Sequence, residues 1–302
     1  MLMPNERALV VGIDGSQSAV HAAVWAGGEA SRRRLPLRLV VAYFVPHAGL
    51  AGIVGSIEQV RTGMAAQARD RLEEARAAVL TATPGLTVRV AAREWNSVAA
   101  LIQESERAKL LVLGSRGLGG FTGLLVGSTA ISLAEHAHCP IVVVRGRVPG
   151  PETVAAPVMV GVDGSSAGDD AVAFACEEAS LRGTGVTVVH AWNEMLTGTV
   201  PAELLDADSA ETERDEIDAL ADYLSGWTEK YTDVAFSFVV KRGSPSKVLL
   251  SQAESAQLIV VGSRGRDGFA GMLLGSTSQA LVAHSPCPVA VIRSQRDRGG
   301  RT

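Results

Sequence analysis

Glycine, serine, threonine and aspartate at two recurring spacings are the residues of this chain that can do chemistry. In the amino-terminal half, Gly114-Ser115-Arg116-Gly117 is followed, after nine residues, by Gly127-Ser128-Thr129. In the carboxy-terminal half, Gly262-Ser263-Arg264-Gly265 is followed, again after nine residues, by Gly275-Ser276-Thr277. Glycine allows close approach of backbone to a ligand, or a left-handed turn. Ser128-Thr129 and Ser276-Thr277 stand where a helix is expected to begin. Free N–H groups, hydroxyls and the positive helix end meet there, a setting that suits a phosphate. A purely structural part also fits: the hydroxyls cap the helix and the glycines turn the chain. Identical spacing in two copies favours phosphate binding.

A carboxylate completes the set. Asp14 and Asp163 end apolar runs in VVGIDGS (10–16) and MVGVDGS (159–165). Each can accept from ribose hydroxyls or adenine N–H, or hold a magnesium ion through water. Each can also simply form a turn, with Ser16 or Ser165 capping the next helix. Other chemistries lack their motifs. There is no GxxxxGK[ST] and no GxGxxG after a strand, and HExxH is absent. His190 is a lone histidine at a strand end, where a structural part is the commoner one. His136 and His284 fall inside helices, far from the glycine loops. Cys139, Cys176 and Cys287 show neither CxxC nor metal spacing and read as small buried apolar residues.

The elements that must position these residues alternate. In the first half, apolar runs at 8–14, 37–44, 86–93, 110–115 and 140–146 read as strands. Helical spacing falls between them, at 18–34 and about 56–82, 97–107 and 125–137. Arg32–Arg34 read as a solvated helix end, where cations suit the dipole. The second half repeats the order, with strands near 157–163, 185–191, 234–240, 257–262 and 288–293. Its long helix, about 209–231, has Ile217, Leu220, Leu224 and Trp227 on one face, enough for core packing. Strands alternating with helices give a parallel sheet covered on both faces. Ligands of such sheets sit beyond the carboxyl ends of the strands, where the strand order reverses. Asp14, Gly114 and Gly117 lie there.

The halves are copies. Residues 112–145 and 260–293 align without a gap and are identical at about half their positions, at an offset of 148. The first strands align at an offset of 149. The expected domains are 1–146 and 157–295, joined by a Pro- and Gly-rich linker at 147–156. The 302 residues carry a net charge of -4, with 47% hydrophobic and 20% charged residues. That balance argues against sequence-blind nucleic-acid binding, and no run has the length of a membrane span. MLMPNER is too short and polar for a signal peptide, so a cytoplasmic protein is expected.

The G-x2-G-x9-G-[ST] pattern, the strand-terminal aspartate and the five-strand alternation resemble the universal stress protein family, in its tandem, ATP-binding branch. The resemblance covers both halves. It implies an α/β fold of two Rossmann-like domains, each a five-stranded parallel sheet of order 3-2-1-4-5 with helices on both faces, and one ATP per half. It implies that Gly12 and Asp14 face the adenosine, and that Ala42 and Tyr43 line the adenine pocket. Leu113, Gly114, Arg116 and Gly117 would follow the ribose and phosphates, and Gly127, Ser128 and Thr129 would take the β and γ phosphates. The matching positions of the second half are Gly161, Asp163, Ala191, Val261, Gly262, Arg264, Gly265, Gly275, Ser276 and Thr277. The loops differ, with Leu118-Gly119 against Arg266-Asp267. The nucleotide could carry magnesium with it. A homodimer is expected, with fifth-strand edges pairing the halves and another face left for the second chain. Fast phosphoryl transfer needs a residue that orients the nucleophile, and none is evident. A regulator that binds ATP is therefore expected, with a slow ATPase or phosphotransferase as the alternative.

Overall fold

A computed structural model describes residues 7–45, 54–117, 127–146, 155–164, 168–192, 209–265 and 274–294. The chain divides into two compact units, Met1–Val148 and Pro149–Thr302.

The first unit opens with β1 (Ala8–Ile13), an apolar run buried between two helical layers. Ser16 caps α1 (Gln17–Arg32), its hydroxyl accepting from Ala19 N at 3.1 Å. Ala19, Ala22, Ala23, Ala26 and Ala30 are buried on α1, and these small side chains let the helix lie close to the sheet. There follow β2 (Leu37–Tyr43), α2 (Val54–Ala82), β3 (Val88–Glu94), α3 (Ser97–Ser105), β4 (Ala108–Gly114), α4 (Ser128–His136) and β5 (Ile141–Val144). All pairings are parallel, and the strand order is β3-β2-β1-β4-β5. Right-handed crossovers then place α1 and α2 on one face and α3 and α4 on the other. Helix contacts agree, α1 with α2 and α3 with α4.

The second unit repeats the plan: β6 (Val158–Val162), α5 (Asp169–Arg182), β7 (Val186–Trp192), α6 (Ser209–Lys230), β8 (Phe236–Arg242), α7 (Pro245–Gln252), β9 (Leu258–Gly262), α8 (Ser276–His284) and β10 (Val289–Ile292). Its strand order is β8-β7-β6-β9-β10, again parallel. Leu220 and Leu224 of α6 are buried as the helical stripe requires. The outer strands β3 and β8 are largely exposed and end in Arg93-Glu94 and Lys241-Arg242.

Two local findings differ from the sequence reading. Helix α4 starts at Ser128 rather than near 125, because Gly127 has an extended backbone. The arginine run is not wholly solvated. Arg33 Nε lies 2.8 Å from Glu29 Oε1, with side chains 4% and 0% exposed. The second unit has the same pair, Arg182 Nε to Glu178 Oε2 at 2.9 Å, with side chains 2% and 0% exposed. The three cysteines are free and buried. Burial pushes the thiols of Cys176 and Cys287 up to about 11, which keeps them protonated and unreactive.

Glu104 ties α3 to β2 and β3. It accepts from Arg38 Nε at 2.8 Å and from Arg93 Nη2 at 2.8 Å. Burial pushes its carboxyl up, but the two guanidinium groups together hold it below its ordinary value. A depressed carboxyl stabilises the fold above the unfolded value of about 4.3, and that contribution is lost as the pH falls through the folded value. Glu104→Gln is expected to cost about 1.5–3 kcal/mol near neutrality. Urea unfolding of variant and parent should converge in acid, once the pH has fallen below the folded value. An equal gap at both pH values would mean that packing, not charge, sets the loss.

Candidate functional site

The strand order reverses between β1 and β4, and between β6 and β9, which opens a crevice at the carboxyl ends of these strands. Asp14 sits at its edge. Its Oδ1 accepts from Ser16 N at 2.9 Å, so the carboxylate does shape the turn. Its other oxygen faces the glycine loop: a Cβ on Gly117 would stand 2.5 Å from Asp14 Oδ2. A Cβ on Gly265 would stand 3.1 Å from Asp163 Oδ2. Left-handed backbone occurs not at these two glycines but at Gly15, with φ 90°, and Gly164, with φ 71°. A side chain at Gly117 would have to displace the neighbouring carboxylate, whereas one at Gly265 would crowd it.

The end of β4 is clipped to the first turn of α1. Ser16 Oγ donates to Arg116 O at 3.1 Å, and Arg116 N donates to Ser18 Oγ at 3.3 Å. A Cβ on Gly114 would come within 2.6 Å of the Ser18 carbonyl carbon, so this glycine serves close approach of protein to protein. On the far side of the nine-residue loop, Gly127 N donates to Ser115 O at 3.3 Å, and Gly275 N donates to Ser263 O at 2.7 Å. The loop thereby returns to the strand it left. Leu118, Gly119, Arg266 and Asp267 lie outside the described residues.

Helices α4 and α8 begin without a side-chain cap, their N-cap positions being Gly127 and Gly275. The hydroxyls of Ser128, Thr129, Ser276 and Thr277 therefore do not do the capping that a structural part would assign them. The first N–H groups of any helix lack intrahelical acceptors.

The register sets the opposite wall. Ile13 pairs with Val41 and Val162 with His190, so Asp14 lies beside Ala42 and Asp163 beside Ala191. Tyr43 follows Ala42, half-buried. His190 Nδ1–H donates to Val162 O at 2.9 Å, and Nε2 lies 3.4 Å from Glu216 Oε2, so this histidine ties strands to α6. Gly12 and Leu113 meet in the floor: a Cβ on Gly12 would lie 2.8 Å from Leu113 Cδ2. Gly161 meets Val261 in the same way, at 3.2 Å. Gly262 O accepts from Ser278 Oγ at 2.7 Å. Arg116 is exposed and Arg264 half-buried at the loop.

Two residues near the site carry no motif. Arg71 of α2 lies over Gly15, its Cδ and Nε each 2.8 Å from where a Cβ would stand. In the second unit, Tyr223 of α6 donates to Asp169 Oδ1 at 2.5 Å. Burial, the Asp169 hydrogen bond and the nearby charges of Asp169 and Asp163 push its phenol up, so it stays a donor. Both sit on long helices where sequence reading sees only a polar face. No group of three or more metal-ligating side chains occurs among the described residues. No helix among them is long and apolar enough to cross a membrane.

Each unit is thus a doubly wound parallel sheet whose switch point presents a carboxylate, glycines and an uncapped helix start, the anatomy of a Rossmann-like α/β domain. The profile of the universal stress protein family matches residues 6–145 and 156–293. A universal stress protein of Mycolicibacterium smegmatis is 36% identical over 291 residues, covering 96% of this chain and 98% of the relative. One from Mycobacterium tuberculosis (strain H37Rv) is 37% identical over 291 residues, covering 94% and 96%. Among solved structures, a universal stress protein from Archaeoglobus fulgidus superposes with a TM-score of 0.64 at 22% identity, covering 95% of this chain and 98% of that one. The chain belongs to the universal stress protein family, a stress-response family, in a tandem arrangement.

Proposed function

We propose that each unit binds one ATP and that the protein acts as a regulator through nucleotide-linked conformation or partner binding. The observation that carries this reading is the pair of uncapped Ser-Thr helix starts, at Ser128-Thr129 and Ser276-Thr277. Hydroxyls and N–H groups that the fold does not use for capping, at the same place in both units, suit an anionic ligand. Asp14 and Asp163 would accept from the nucleoside. Ala42, Tyr43 and Ala191 would line the base, and Arg116 and Arg264 would answer the phosphate charge. Magnesium, where present, would come with the nucleotide. A homodimer belongs to the same proposal and is checked by sedimentation.

Calorimetry on nucleotide-stripped protein is expected to find two adenine nucleotides per chain. Saturation at a hundredfold over the dissociation constant should stabilise each unit by about 2.7 kcal/mol. Gly117→Ala is expected to abolish binding in its own unit, because the added methyl displaces Asp14, and Gly265→Ala to weaken binding in the second unit, because the methyl crowds Asp163. Titrations unchanged in both variants would count against the placement. A slow ATPase is the rival. Turnover on the order of 1 per second, at the low end for enzymes, that is lost in the double variant would replace the regulator reading.

A further inference from the structure

The two units share a fold but carry opposite charge. Residues 1–148 hold 16 lysines and arginines against 11 aspartates and glutamates, and residues 149–302 hold 12 against 21. Part of this contrast stands at the switch points. The motif residues there are matched, Asp14 by Asp163, Arg116 by Arg264 and Ser128-Thr129 by Ser276-Thr277. Their surroundings are not. At the offset of 149 that aligns the first strands, Val20 and His21 of α1 correspond to Asp169 and Asp170 of α5. Both aspartates lie in the first turn of α5, whereas the first turn of α1 holds no acidic residue. At the offset of 148 that aligns β3 with β8, Arg71 of α2 corresponds to Ala219 of α6. We propose that the two sites are unequal in the ligand charge they accept. The first binds the polyanionic nucleotide the more tightly, and the second binds it weakly and separates ATP less from the uncharged nucleoside. This inference rests on the reading that each unit holds one adenine nucleotide.

The differing charges lie at the same turn of each unit, directly after the first strand. In the first unit, the Nε and Cδ of Arg71 each lie 2.8 Å from where a Cβ on Gly15 would stand, one residue beyond Asp14. In the second unit, Tyr223 donates to Asp169 Oδ1, and a Cβ on Gly168 would stand 3.6 Å from its hydroxyl. Burial pushes the Tyr223 phenol up, and so do the hydrogen bond to Asp169 and the charges of Asp169 and Asp163. The two carboxylates therefore act on one place. A guanidinium beside the first turn and carboxylates around the second give fields of opposite sign where a ligand would enter. Each such charge acts modestly through solvent, but its effect scales with the charge of the ligand. ATP without metal feels it several-fold, and adenosine does not feel it.

Calorimetry on the full nucleotide-stripped chain, with a chelator present, reads the effect with ATP and with adenosine as probes. At ~20 mM salt, ATP is expected to bind in two steps about tenfold apart, and the gap should close at ~500 mM salt as the charges are screened. Adenosine should bind with nearly equal affinity in both units at either salt. Arg71→Gln is expected to weaken the tighter ATP step about threefold or more. Asp169→Asn/Asp170→Asn is expected to tighten the weaker step by about as much, and asparagine at 169 can still accept from Tyr223. Neither variant should change adenosine binding, which a merely structural part for these residues would disturb. Two ATP steps of equal affinity at low salt, an equal gap with adenosine, a gap that persists at high salt, or both variants acting on the same step would each overturn the inference and leave one nucleotide per unit standing. Absence of ATP binding in both units would overturn the underlying reading, and the inference with it.

Discussion

Replacing Glu29 by glutamine is expected to lower the unfolding free energy by about 3–5 kcal/mol. The carboxylate is fully buried and accepts from Arg33 Nε at 2.8 Å and from Arg32 Nη1 at 3.1 Å. Glutamine keeps the volume and removes the charge, which takes the Glu29 counter-charge from beside the buried Arg33 guanidinium. The loss is thus electrostatic rather than the cost of a cavity. Glu178→Gln is expected to act alike on the second unit through Arg182. Urea unfolding of the parent and the two single variants gives the comparison. The double variant Glu29→Leu/Arg33→Met is expected to recover most of the loss, since a well-packed apolar pair often matches a buried ion pair. A double variant as unstable as Glu29→Gln would show that this explanation is wrong.

Removing both hydroxyls at the start of α4, by Ser128→Ala/Thr129→Val, is expected to weaken ATP binding in the first unit about a hundredfold. Hydrogen bonds to a charged partner contribute about 1.5–3 kcal/mol each. Because neither hydroxyl caps the helix, the ligand-free melting temperature should stay near the parent's. An N-cap would behave oppositely, its removal costing about 1 kcal/mol with or without ligand. Adenosine binding should be retained, since the nucleoside lies at the Asp14 side. Thermal melts and calorimetry with ATP and with adenosine separate these cases. Unchanged ATP affinity together with a lowered melting temperature would return Ser128 and Thr129 to a structural part.

Much of this was legible in the sequence because the relevant signals are local or repeated. Apolar runs that stop at Asp-Gly or Gly-Ser place the strands and their carboxyl ends. Duplication marks Asp14, Gly117 and Ser128 with their counterparts Asp163, Gly265 and Ser276. What escaped depends on which atoms occupy the space around a residue. Gly12 and Gly114 look like ligand-facing glycines, yet Leu113 and the Ser18 backbone claim their Cβ positions. Arg33 looked solvated because its partner is a turn away. The signal was present, as Glu29-x3-Arg33 recurs in Glu178-x3-Arg182. Arg71 and Tyr223 reach the switch point only because α2 and α6 pack across the strands, and the two units put different residue types there.

The outer strands have a consequence for recognition. Among the described strands, β3 pairs with β2 and β8 with β7, and each is hydrogen-bonded along one side. A free strand edge is a template on which a peptide from another chain can be laid. Here the templates end in Arg93-Glu94 and Lys241-Arg242, and charge on an edge strand discourages such addition. A partner is therefore steered away from backbone zippering along these borders. It must read side chains and loops instead, and those at the strand ends are where a bound nucleotide would alter the surface it meets.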